Sequence, residues 1–234
     1  MAIQRIRTYS WEYPVRFTHW VNVLSIMVFI ATGIYIGDPY LQSFPSDTHL
    51  LPAGGIGTPF HEYIMGWMRF AHLMTGYVFL CSFVIRIYWA FMGNKYASWR
   101  VWFPFTGQRR KDLIDAIKFY TFMSRKPPYA VGHTALAGIA YFVVFLIFGY
   151  QIVSGFALLS LSSTAVIPKV IGAWLFSVMD IQTIRLWHHL FMYAIIAFFF
   201  IHIYVSSWLD KVEKNGLMGS IFGGYKFVTG KEWE

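Results

Sequence analysis

Apolar residues run together along this chain instead of alternating with polar ones, in four stretches at about 17–37, 63–92, 134–161 and 184–209. Each is near or above the ~20 residues that carry a helix across a ~30 Å hydrocarbon core. The pattern predicts an all-α protein, an integral membrane four-helix bundle forming a single domain over residues 1–234. Between the first and second stretches, after Gly37-Asp38-Pro39, comes a Pro- and Gly-rich loop without Lys or Arg, read as a docking surface. Between the second and third lies an amphipathic loop, residues 93–130. Within it Leu113, Ile117 and Tyr120 follow at i, i+4, i+7 behind Arg109, Arg110 and Lys111. That spacing predicts a basic helix over Asp112–Met123 lying on a membrane surface, ended by Pro127-Pro128. No charge falls between Thr134 and Pro168, more than one crossing needs, so an outer loop or a short interfacial segment is expected after Leu161. Ser154 and Gly155 read as close-packing positions. The tail from Asp210 is polar, basic and dotted with glycine, and is expected to be poorly ordered.

With 57% hydrophobic and 13% charged residues, the chain has too little charge to cover a soluble surface. The start, MAIQRIRTYSWEYPVR, has no short apolar region before a small-residue cleavage site, so no removable signal peptide is expected. A formal charge of +8 raises the question of nucleic acid, but its placement answers it. Of the 19 Lys and Arg, 16 lie in residues 1–16, 86–130 and 210–234. That bias predicts both termini and the 93–130 loop on the cytoplasmic side, and a lipid membrane, with no nucleic acid, as the partner of the basic surface. A single cysteine, Cys81, excludes an internal disulfide, a thiolate cluster and C-x-x-C-H haem attachment.

Histidines carry the candidate chemistry. His188 and His202 stand fourteen residues apart in the last stretch, which places them about 40° apart around a helix and roughly 21 Å apart along it. His189 points to another face. Topology puts His19 and His202 near the inner surface, and His72 and His188 in the outer half. Two pairs at two depths suit two bis-histidine haems, each iron taking one imidazole from each of two helices. Arg16, Arg69 and Arg185 each precede one of these histidines by three residues, on the same helix face, where a guanidinium can pair with a haem propionate. The bland alternative is a set of interfacial polar residues and snorkelling arginines. Two depth-matched pairs are harder to obtain that way. No carboxylate or cysteine accompanies the histidines, so a metal ion without porphyrin fits less well. His49 and His61 belong to the outer loop and its edge. His133, at the inner mouth of the third helix, is either a helix-end residue or a proton donor to a bound quinone.

The segments PVRFTHW, RFAHLMTGY, RIYWAFMGNKYA, VGHTALAGIAYF, SGFALL and LWHHLFMYAIIAFFFIHIYV resemble the b-type cytochrome subunit of membrane-bound nickel–iron hydrogenases over nearly the whole chain. That family is similar to the wider group of dihaem cytochromes serving formate dehydrogenases. The resemblance implies a multi-pass protein of the bacterial cytoplasmic (inner) membrane. It would take electrons from the iron–sulfur small subunit of a periplasmic hydrogenase, whose large subunit holds nickel and iron. Two haems b would then pass them to quinone, menaquinone or ubiquinone, with no catalysis of hydrogen chemistry by this chain itself. Carried over, His19 and His202 bind the inner haem and His72 and His188 the outer one. The sequence departs from the family's Gly-His-Asn-Pro-Leu-Ala at Gly132-His133-Thr134-Ala135-Leu136-Ala137, and Ser154 stands where a Thr is usual. Rival readings are the same module serving a formate dehydrogenase, and a stand-alone quinone-reducing cytochrome b of the superoxide oxidase type.

Overall fold

The computed structural model describes residues 5–38, 57–126 and 130–229, without the side chains of Arg5, 57–63 and Thr229. The outer loop with His49, the side chain of His61 and Pro127-Pro128 lie outside the described residues. Seven α-helices are present among those described: α1 (Tyr13–Gly37), α2 (Gly57–Met92), α3 (Gly107–Tyr120), α4 (Ala135–Ser160), α5 (Val166–Gly172), α6 (Ile181–Glu213) and α7 (Leu217–Gly223). Four of them, α1, α2, α4 and α6, are long and apolar enough to cross a membrane. Their outward side chains match that solvent: Leu24, Val78, Leu146 and Phe200 are all exposed.

Residues 19–83 form one compact unit, and the remaining residues form another. In the first, α1 and α2 run antiparallel. Ser82 Oγ donates to Asn22 Oδ1 at 2.7 Å, and Phe29 packs edge-on against Phe79. Polar side chains inside a membrane helix pair are stable when they satisfy one another, as these do.

In the second unit α4 is central, packing against α3, α5, α6 and the 3-10 turn Trp99–Trp102. Its start is capped by Thr134, whose hydroxyl accepts from Ala137 N at 3.3 Å. Thr is a favoured N-cap residue because its side-chain oxygen satisfies a backbone N–H of the first turn. Gly138 lets the Trp99–Trp102 turn approach: a Cβ there would stand 2.5 Å from Val101 O. The uncharged surplus after α4 folds as α5 and the 3-10 turn Ala173–Ser177, the helical one of the two alternatives. Asp180 starts α6 by accepting from the backbone N–H groups of Gln182 and Thr183 at 2.9 and 3.0 Å.

Three expectations need correction. The basic amphipathic helix is Gly107–Tyr120, displaced from 112–123, because Thr106 caps it through Arg109 N and sets its start. The membrane helices overrun their apolar stretches, α2 beginning at Gly57 and α6 extending over Ile181–Glu213. Polar turns at the ends continue the backbone hydrogen bonds, which hydropathy does not register. The tail is ordered through Thr229: α7 and the strand β2 (Tyr225–Thr229) fold back, and β2 pairs antiparallel with β1 (Arg5–Tyr9), Tyr9 opposite Tyr225. Gly224, at φ +85°, makes the turn into β2, and its carbonyl accepts from Ser10 N and Trp11 N at 2.8 and 3.1 Å. Beside this clasp the Glu12 carboxylate accepts from Trp89 Nε1 and Asn94 N, both at 2.8 Å. Trp11 Nε1 donates to Ser220 Oγ at 2.9 Å.

Candidate haem-binding site

All four histidines of interest are half-buried on long helices. In the first unit, Thr32 on α1 meets His72 on α2, with Oγ1 and Nδ1 2.8 Å apart. Thr32 already donates its hydroxyl proton to Val28 O at 2.6 Å. A hydroxyl has one proton and two lone pairs, so toward the imidazole it accepts. His72 therefore carries its proton on Nδ1 and its lone pair on Nε2. Phe29 packs on the same ring at 5.0 Å. His19, on α1, lies edge-on to Trp20 at 5.2 Å.

The second unit repeats the device. Ser154 on α4 donates to Tyr150 O at 2.7 Å and stands 2.8 Å from His188 Nδ1 on α6. It too must accept, which again leaves the lone pair on Nε2. Gln151 Nε2 donates to His188 O at 3.0 Å, and a Cβ on Gly155 would come within 3.5 Å of the ring. Further along α6, His202 Nδ1 lies 3.1 Å from the Tyr141 hydroxyl, and Phe198 stacks on its ring at 5.6 Å. Thirteen residues separate Tyr141 from Ser154 on α4, and fourteen separate His188 from His202 on α6. At 1.5 Å per residue these are nearly equal rises of about 20 Å, so the two contacts hold the antiparallel helices in register.

An imidazole that coordinates iron does so through a bare Nε2 while Nδ1–H is held by an acceptor, which fixes ring orientation and raises ligand basicity. His72 and His188 each have Nδ1 held by a hydroxyl in this way, and the residues present fit haem ligation. Among the described residues no group of three or more His, Cys, Asp or Glu side chains converges. His189 Nδ1 donates to Arg185 O of its own helix at 2.8 Å.

The arginines divide. Arg69 and Arg185 are exposed, whereas Arg16 is half-buried, donates to Phe222 O and keeps its Nε buried without an acceptor among the described residues. His133 sits between Trp11 and Tyr141, at ring distances of 4.7 and 4.5 Å. Burial, reinforced by the charges of Arg86 and Lys226, pushes its imidazole down to about 3, so it is neutral at physiological pH. In that state it offers an N–H and no stored proton. The pairings of His19 with His202 and of His72 with His188 join residues of different units and are taken up as a proposal below. Sequence reading missed Thr32 and Tyr141 and gave Ser154 only a packing role. A hydroxyl at the depth of a histidine is the signal that was available.

The family model for prokaryotic cytochrome b561 matches residues 10–224. A protein of Bradyrhizobium diazoefficiens named "Probable Ni/Fe-hydrogenase B-type cytochrome subunit" is 35% identical over 95% of this chain and 87% of its own length. A protein of the same name from Rhizobium leguminosarum bv. viciae is 32% identical over 99% and 93%. The "Probable Ni/Fe-hydrogenase 1 B-type cytochrome subunit" of Escherichia coli K12 is 30% identical over 93% and 90%. With a matched model across nearly its whole length, the chain belongs to the prokaryotic cytochrome b561 family, alongside the Ni/Fe-hydrogenase B-type cytochrome subunits.

Proposed function

We propose that this chain is the membrane electron carrier of a nickel–iron hydrogenase, linking the iron–sulfur small subunit outside to quinone on the inner side. His72 and His188 would hold an outer haem b, and His19 and His202 an inner one. Arg16 is the guanidinium best placed for a propionate, with Arg69 and Arg185 as further candidates. A haem b ligated by two histidines exchanges one electron with no open coordination position. The observation that carries this reading is the hydroxyl on Nδ1 of His72 and of His188, each selecting the tautomer with its lone pair on Nε2, the nitrogen that would ligate iron. Basic residues near both termini and in the 93–130 loop support a cytoplasmic inner face, and the pairing of β1 with β2 is consistent with termini on one side. Passing charge along the ~21 Å between His188 and His202 crosses much of the membrane, where 100 mV is worth about 2.3 kcal/mol per charge. The names of the relatives favour hydrogenase over formate dehydrogenase as partner.

A pyridine haemochrome assay on the purified chain, in wild type and with His19, His72, His188 and His202 each changed to Ala, tests the wiring. Two haems per wild-type chain are expected, with selective losses grouping 19 with 202 and 72 with 188. A folded wild type without haem would sink the reading. Co-purification then identifies the dehydrogenase.

A further inference from the structure

We infer that Tyr141 is the hydrogen-bond donor to the carbonyl oxygen of a quinone held beside the inner haem ligand His202, an assignment that rests on the quinone-linked reading above. Proton counting leads there. The contact of 3.1 Å between the Tyr141 hydroxyl and His202 Nδ1 can form in two ways: the phenol donates to a bare nitrogen, or Nδ1–H donates to the phenol. Once His202 gives its Nε2 lone pair to iron, its proton sits on Nδ1 and only the second way is left. The phenol's own proton is then turned away from His202.

At the other two histidines the corresponding hydroxyl proton has an outlet one helical turn back, Val28 O for Thr32 and Tyr150 O for Ser154. A phenol, at the far end of a rigid ring, cannot reach its own helix in that manner. Among the described residues the hydrogen bond of the Tyr141 hydroxyl is the one to His202. The freed proton therefore needs an acceptor supplied by a ligand. Tyr141 lies six residues into α4, about 9 Å along its axis, a depth at which hydrocarbon chains offer no acceptor. The residue as a whole is half-buried.

The surroundings say what kind. Phe198 and His133 present rings to Tyr141 at 6.1 and 4.5 Å, an aromatic setting suited to a flat molecule. The charged groups whose field reaches His133 are basic, Arg86, Lys226 and Arg109 among them. Arg86 and Arg109 are tied to the turn beside the start of α4, through Ala97 O and Val101 O, and Lys226 donates to Ala130 O at 3.2 Å. A positive field of this kind favours an oxygen that gains negative charge. A quinone carbonyl is flat, accepts a hydrogen bond and becomes a stronger acceptor on reduction. A haem propionate is the other oxygen that could take the proton, and the test separates them.

The haem-loaded complex, in wild type and as Tyr141→Phe, would be titrated with decylubiquinone and with menadione, following the inner-haem absorbance. Haem content, low-spin electron paramagnetic resonance and the inner midpoint potential would be measured alongside. The expected result is two haems with unchanged ligation in the variant and quinone affinity weakened about tenfold. Unchanged quinone affinity overturns the assignment, and if it comes with a shifted inner midpoint the proton belongs to a propionate. Loss of the inner haem in the variant also overturns it, since the phenol then serves only to support His202. A wild type that holds two haems and binds neither quinone removes the quinone-linked reading as well.

Discussion

A hydroxyl that accepts from an imidazole and donates to its own helix does two things at once: it satisfies two polar groups in an apolar medium and selects which ring nitrogen keeps its lone pair. Thr32 and Ser154, 5% and 0% exposed, are both built this way. In the outer haem proposed above, accepting the hydrogen bond from Nδ1–H would make the ring a stronger donor to iron and stabilise the oxidised state. Thr32→Val, which keeps the side-chain shape, and Ser154→Ala are therefore expected to raise the outer-haem midpoint potential. Each is also expected to weaken haem retention about tenfold. Redox potentiometry, together with competition for haem by an apo-globin, reads both quantities. Neither quantity moving would mean that the hydroxyls serve packing alone.

At the scale of elements, α4 sets the geometry. It bears the cap Thr134, the close approach at Gly138, Tyr141 against His202 and Ser154 against His188. Gly138 is the point where a single methyl group tests this arrangement. A Cβ there would meet Val101 O at 2.5 Å and Trp102 Cα at 3.1 Å, both backbone atoms that cannot rotate aside. Gly138→Ala should cost about 1–3 kcal/mol by displacing the Trp99–Trp102 turn. A lowered thermal midpoint in detergent would show it. Gly76→Ala on α2, where nothing lies within 4 Å, is the control, and its better helix propensity should leave stability level or raised. Equal melting of the two variants would contradict the close packing.

At the scale of the whole molecule, residues far apart in the chain close around His133. Trp11 comes from the segment after β1, Tyr141 from α4 and Lys226 from β2, and Lys226 is itself 1% exposed. The folded protein holds the imidazole neutral down to about pH 3, whereas an unfolded chain protonates it near pH 6.5. Between those values the unfolded state binds more protons, so this contribution to stability is complete above about pH 6.5 and is lost as pH falls toward 3. His133→Phe keeps a ring between Trp11 and Tyr141 and removes the titration. Its melting temperature should fall less than that of the wild type between pH 7 and pH 5, and parallel slopes would refute the assignment.

Hydropathy alone was enough for the four long apolar helices, because a membrane core leaves a chain few ways to satisfy its backbone, and apolar spacing was enough for a basic amphipathic helix between the second and third of them. Histidine spacing along α6 was legible too, since helix periodicity converts sequence separation into depth and face. Helix ends were read less well. The cap at Thr106, and the polar turns that prolong α2 and α6, depend on single hydrogen bonds that an apolar window does not register. The β1–β2 clasp escaped notice because two short polar strands more than 200 residues apart carry no local sign of each other. The same holds for the partners of the histidines. A threonine in α1 and a tyrosine in α4 are ordinary membrane-helix residues until packing brings their hydroxyls to an imidazole, and which nitrogen then keeps its lone pair is decided only by that contact.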